Sequence, residues 1–285
     1  MLIHDSKVKR LEKIANTIRQ DIILMLLEAG SGHSAGPLGM ADVFTALYFH
    51  ILHHRPKQPD WPKRDRLVLS CGHICPVRYA AMARAGYFSI KTLQTLRKLG
   101  SPLQGHPELT KLPGVESTSG PLGQGTSLAV GMALAARMDK KAYRVYGIFS
   151  DGEHDEGQTW EAVLFAGKNK LSNFTAIVDR NNIQIDGVTE DIMPLEPLAD
   201  KYKAFNWHVL EIDGNNIREI VDACEQAKRI TEKPTVIIAH TIPGRGVDFM
   251  EKDYRWHGIP PNKEQATVAL KELRSLRGRI ISEHE

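Results

Sequence analysis

YRVYGIFSDGEHDEGQTWEAVLFAGKNKLSNFTAIVDRNN, residues 143–182, decides the fold. It holds two apolar runs, Tyr143–Phe149 and Phe174–Val178, with a helix-like segment between them. Each run gives way to polar residues, Ser150-Asp151-Gly152-Glu153 after the first and Asp179-Arg180-Asn181-Asn182 after the second. Short apolar runs joined through a helix are the pattern of a βαβ unit, because parallel strands need a long crossover. Outward from this stretch the pattern recurs, in Arg66–Ser70 upstream and in His208–Ile212 and Thr235–Ala239 downstream. The expected architecture is a doubly wound α/β domain, a mostly parallel sheet with helices on both faces.

Helices are expected around this frame. From Val8 to Leu27, the residues Leu11, Ile14, Ala15, Ile18, Ile22 and Met25 recur at three- and four-residue spacing, which makes one face apolar. Further helices are expected over Met40–Leu52, Thr126–Met138 and Lys263–Ile281. No Pro- or Ser-rich linker interrupts the chain, so residues 1–285 are expected to form one domain with an N-terminal helical region.

Composition narrows the function. The 285 residues are 42% hydrophobic and 25% charged, and 37 Lys plus Arg against 34 Asp plus Glu leave a net charge of +3. No block of like charges occurs, so neither a nucleic-acid surface nor a polybasic membrane surface is expected. No apolar run approaches the roughly 18 residues that would span a bilayer, and the N-terminus lacks a signal-peptide core. A cytoplasmic protein is expected. The three cysteines, Cys71, Cys75 and Cys224, are too few for a disulfide framework or a zinc site and are expected to pack.

In doubly wound sheets, ligands bind beyond the carboxyl ends of the strands. The loops Ser70–His73, Ser150–Glu153, Asp179–Asn182 and Ile242–Gly246 are therefore expected to converge on one rim. Asp151 and Asn181, one after each of two strands, offer a carboxylate and an amide oxygen, which suit Mg²⁺ or Ca²⁺ shared with ligand phosphates. Four histidines sit in loops: His33 in SGHSAG, His73 in SCGH, His106 in GHPE and His257 in WHG. Imidazole titrates near neutral pH and suits proton exchange with hydroxyls or hydrogen bonding to phosphate. His4, His50, His53, His54, His208, His240 and His284 are expected to be surface or packing residues, and His154 a solvated side chain.

These elements resemble the transketolase family. The Asp-Gly and Asn-Asn pair resembles the thiamine diphosphate signature, with Ser150 where that signature has glycine. More specific are TSGPLGQG at 118–125, GHSAGPLG at 32–39 and GHPE at 105–108, which stand in transketolase order. The resemblance implies thiamine diphosphate and Mg²⁺ (or Ca²⁺) as cofactors, with Asp151, Asn181 and the Ile183 carbonyl on the metal. It places Gly120, Leu122, Gly152, Glu153 and Asn181 against the cofactor, and His73 and His257 near its diphosphate. His33, His106 and His257 would face the ketose donor. Glu156 would join an acidic network at the subunit interface.

In this family a glutamate from a separate pyrimidine-binding domain activates the cofactor, and no segment of this sequence resembles that domain. The resemblance therefore implies the diphosphate-binding, N-terminal subunit of a split transketolase. It would be active with a C-terminal partner in an α2β2 assembly, moving a two-carbon ketol unit from a ketose phosphate to an aldose phosphate. An α-type subunit of a 2-oxo acid dehydrogenase shares the metal signature, and a non-catalytic cofactor-binding module would also retain it. GHPE and GPLGQG favour transketolase.

Overall fold

A computed structural model describes residues 3–275. The amphipathic N-terminal stretch forms helix α1, Asp5–Ala29, and buries Leu11, Ala15, Ile18, Ile22 and Met25 along one side. Gly30 ends it in the left-handed conformation at φ 61°, its N–H bonded to the Leu26 carbonyl, which is the usual way an L-chain stops a helix. The short helices α2, Ala35–Gly39, and α3, Ala41–Ala46, follow. The helix expected over Met40–Leu52 thus exists, but it breaks at Met40 and loosens into a π-turn over Leu47–Ile51. A buried ion pair fixes this block. Arg19 on α1 pairs with Asp42 on α3 and donates to the Leu38 carbonyl, and Asn215 donates to both Asp42 and the Gly39 carbonyl. A buried pair costs little only when its remaining polar atoms are also bonded, as here.

The next elements are strand β1, Arg66–Leu69, helix α4, Cys75–Ala85, helix α5, Gln124–Met138, strand β2, Val145–Ser150, and helix α6, Gly157–Lys168. They are followed by β3, Phe174–Arg180, α7, Thr189–Ile192, α8, Leu198–Ala204, β4, His208–Asp213, α9, Ile217–Arg229, β5, Thr235–His240, and α10, Lys263–Ser275. The end of the helix expected to Ile281 lies outside the described residues. All four strand pairings are parallel, in the order β1-β2-β3-β5-β4. Successive side chains point to opposite faces, so each central strand feeds two cores. Tyr146, Ile148, Ile177 and Ile237 face α1, α3, α4, α9 and α10, while Val145, Phe149, Val178 and Ile238 face α5, α6 and α8. Burial on both faces is why these strands read as continuous apolar runs rather than alternating ones. Among the described residues no helix is long and apolar enough to cross a membrane.

Candidate active site

The carboxyl ends of β1, β2 and β3 open on one cavity of about 430 Å³. Its walls are His33, His73, His106, Gly120, Leu122, Ser150, Asp151, Gly152, Asn181, Ile183, Gln184, Ile185, Asp186 and His257. Three of the four loops expected at this rim contribute to it. The fourth packs beneath it: Gly244 donates to the Ala35 carbonyl, and Arg245 lines a different cavity beside β4 and β5. Only His257, further along, reaches the site. Gln184, Ile185 and Asp186 were missed in the sequence. Their one signal was continuity with the Asn181 loop, since neither a glutamine nor an exposed isoleucine marks a site.

At the acidic wall Asp151 is 1% exposed. Its Oδ1 accepts the Gly152 N–H at 2.8 Å. Its Oδ2 accepts from Arg180 at 3.1 Å, the Asn182 N–H at 2.7 Å and the Thr189 hydroxyl at 3.3 Å. Burial pushes this carboxyl up, and Arg180 with the two backbone N–H groups opposes that. Asn182 turns the chain with φ 63°, a left-handed conformation that asparagine tolerates. The Asn181 amide donates to Asp179 and its oxygen accepts the Ile183 N–H, so both ends of that side chain are held. Asp179 lies fully buried behind it, bonded by the Thr241 hydroxyl and pushed up to about 7 by burial. Among the described residues no cluster of three or more His, Cys, Asp or Glu is placed to hold a metal ion. Asp151, Asn181 and Ile183 line the same cavity, and carboxylate, amide and carbonyl oxygens are the ligand types that suit Mg²⁺ beside phosphate.

The opposite wall is a triangle of imidazoles. Ring centroids are 4.8 Å apart for His33 and His73, 5.4 Å for His33 and His257, and 5.3 Å for His73 and His257. Burial, then the neighbouring charges, lowers His33 to about 4 and His73 well below its usual range, and burial lowers His257. Each of these shifts favours the neutral ring, which has one donor and one acceptor nitrogen. Nδ1 of His33 is buried and meets no hydrogen-bond partner, and a ligand hydroxyl would satisfy it. The Ser34 hydroxyl donates to the Ile259 carbonyl at 2.6 Å, which ties the His33 loop to the His257 loop. His106 stands exposed at the rim.

Two residues expected at the site lie outside the cavity lining. Glu153 is fully buried beneath it, where its carboxylate accepts from the Ser70 hydroxyl, the Gly123 N–H at 2.5 Å and the Ser150 N–H at 3.3 Å. It therefore joins the ends of β1 and β2 to the GPLGQG loop, and burial pushes it up to about 7. Glu156 is exposed at the start of α6. Two glycines of GPLGQG serve chain packing: Gly123 takes φ 79°, and a Cβ on Gly125 would meet the Ser70 backbone at 2.5 Å. Ser150 is accommodated because its φ is not positive, and its hydroxyl accepts the Glu153 N–H. The expectation of a solvated His154 is wrong. It is 2% exposed, with Nδ1 donating to the Ser150 carbonyl at 2.9 Å and Nε2 accepting from the Tyr202 hydroxyl at 2.8 Å. Cys71 and Cys75 are buried free thiols.

Residues 11–276 match the family model described as transketolase, thiamine diphosphate binding domain. The chain is 47% identical to the 6-deoxy-6-sulfo-D-fructose transketolase subunit of Clostridium sp. (strain MSTE9), covering 92% of this chain and 96% of that protein. It is 39% identical to one subunit of the apulose-4-phosphate transketolase of Phocaeicola vulgatus, covering 94% and 95%. Among solved structures it superposes on the transketolase of Campylobacter jejuni with a TM-score of 0.88 and 37% identity, covering 96% of this chain and 43% of that one. The chain thus spans less than half of that transketolase but nearly all of the subunit relatives.

Proposed function

The chain belongs to the transketolase family and carries its thiamine diphosphate-binding domain, and from this we propose the diphosphate- and metal-binding subunit of a two-chain enzyme. In this reading the assembled enzyme moves a two-carbon ketol unit from a ketose phosphate to an aldose phosphate. The observation that carries it is one cavity with neutral imidazoles on one wall and the Asp151–Asn181 oxygens on the other. A sugar hydroxyl and a metal-bound diphosphate need those two walls together. Bound thiamine diphosphate supplies a carbon nucleophile and an electron sink, which side chains lack. Asp151, Asn181 and the Ile183 carbonyl hold Mg²⁺, or Ca²⁺, and His73 and His257 donate to the diphosphate. Gly120 and Leu122 flank the aminopyrimidine and thiazolium region of the cofactor, and Gly152, next to Asp151, lies against the cofactor. His33, His106 and His257 exchange protons with donor hydroxyls, for which a neutral ring is the competent form.

We assign residues 1–285 to one diphosphate-binding domain, with the pyrimidine-binding part on the partner chain in a cytoplasmic α2β2 assembly. Three buried free thiols fit a reducing compartment. Relatives named as subunits, of nearly this length, support a partner. Glu156, exposed at the start of α6, is assigned to the interface. The test of the site is calorimetry of thiamine diphosphate with and without Mg²⁺ on the chain and on Asp151→Asn. That variant keeps the shape, and Arg180 retains Glu190 and Glu196. Mg²⁺-dependent binding should weaken at least about tenfold, roughly 1.4 kcal/mol. Equal affinity in the two proteins overturns the metal assignment.

A further inference from the structure

We propose that Arg97 is a positioning residue whose guanidinium bridges the loops of His33 and His106 and sets a positive charge beside both; this rests on the functional reading above. Arg97 follows a 3-10 segment, Ile90–Thr95, and takes φ 59°, a conformation costly for a side chain other than glycine or asparagine. Its N–H donates to the Leu103 carbonyl at 2.9 Å, which closes the loop that leads into GHPE. This turn lays the guanidinium over Gly105. A Cβ there would lie 2.9 Å from both Cζ and Nε of Arg97 and 3.0 Å from Nη2. A Cβ on Gly32 would lie 3.9 Å from the same Nε. These two glycines immediately precede His106 and His33, so one planar cation covers the backbone before each histidine.

Among the described residues no carboxylate forms a salt bridge with Arg97, although an arginine on a loop usually finds one. Arg97 is itself exposed, so water screens its charge in part, and its effect on the site rests on its close approach to the two loops. Burial is the first cause that lowers His33 and His106; the charged and titratable groups that add to it are His257, Arg97, His106 and His73 at His33, and Arg97 at His106. Each of these effects favours the unprotonated ring, the form that can accept a hydroxyl proton. His106 lies outside the imidazole triangle, so after partial burial of its ring Arg97 is the charge that favours its neutral form.

The test begins with histidine NMR titrations of the full chain, which need neither a partner nor turnover, so they stand apart from the transketolase reading. Arg97→Gln should raise the His106 midpoint by about half a pH unit or more, while Arg97→Lys should restore it. In the assembled enzyme the acid limb of kcat/KM should move to higher pH in Arg97→Gln, with thiamine diphosphate affinity unchanged. Gly105→Ala, whose methyl group displaces the guanidinium, should reproduce the titration shift, which guards against misfolding of any one variant. An unmoved His106 midpoint in both Arg97→Gln and Gly105→Ala overturns the proposal. So does a fall in transfer that is equal in Arg97→Gln and Arg97→Lys at every pH.

Discussion

His33 and His106 reach the cavity from separate loops, and alanine at either position separates work on the sugar from work on the cofactor. If each exchanges protons with donor hydroxyls, His33→Ala and His106→Ala in the assembled enzyme should lower kcat/KM by about 10² to 10⁴, roughly 3 to 5 kcal/mol. Cofactor affinity and melting temperature should stay near wild type. His50→Ala is the control, since His50 bonds Lys7 far from the cavity. Near-wild-type transfer by both variants would remove the histidines from the mechanism. The pH sign follows from burial. His33 is held at about 4, so it stays neutral as pH falls through 6.5, and the acid limb it sets should appear nearer 4. At this scale the sequence was legible where a residue type has few uses in a loop, as with Asp151, Asn181 and the glycine-flanked histidines. It was not legible for Glu153 or His154. Both sit in the loop after β2, and only the packing of Ser70, Gly123 and Tyr202 around them reveals that they brace it.

The central strands were legible because both faces of β2, β3 and β5 are buried, which leaves continuous apolar runs that a sequence displays directly. The edge strand β4 is only half-buried and shows in Val209, Leu210 and Ile212 alone. The π-turn at Leu47–Ile51, which packs against α9 and α4, was not legible, since its apolar residues suit an α-helix equally. The coupling between the end of β2 and α8 was equally invisible. There His154 bonds the β2 carboxyl end on one side and Tyr202 of α8 on the other, with its ring against Trp160. Tyr202→Phe leaves Nε2 of His154 buried and unpaired, which costs about 1 to 3 kcal/mol. Denaturant unfolding should show that loss, while thiamine diphosphate affinity at saturating Mg²⁺ stays within a few-fold of wild type. Unchanged stability would mean that the imidazole finds water and that α8 is not tied to the loop after β2 through it.

At the scale of the whole molecule, the apolar surface argues for a second chain. Leu128 and Met138 on α5 are 38% and 72% exposed, and Leu164 and Phe165 on α6 are 53% and 44% exposed. The two helices pack side by side. Ile185, Ile192 and Met193 add exposed apolar area in the segment after β3, beside the cavity. A protein that works alone rarely leaves such groups in water, because each buried methylene is worth about 0.8 kcal/mol. The chain by itself should therefore associate in a concentration-dependent way and show no ketol transfer. Titrating in the C-terminal subunit should produce transfer that saturates at one partner chain per chain. Turnover by the lone chain would sink the split-enzyme reading. The double substitution Leu164→Glu with Phe165→Glu locates the contact: both side chains face solvent, so melting of the lone chain should change little, whereas the partner concentration for half-maximal transfer should rise at least about tenfold. If that concentration does not move, the partner docks elsewhere, and the apolar segment after β3 becomes the surface to charge next.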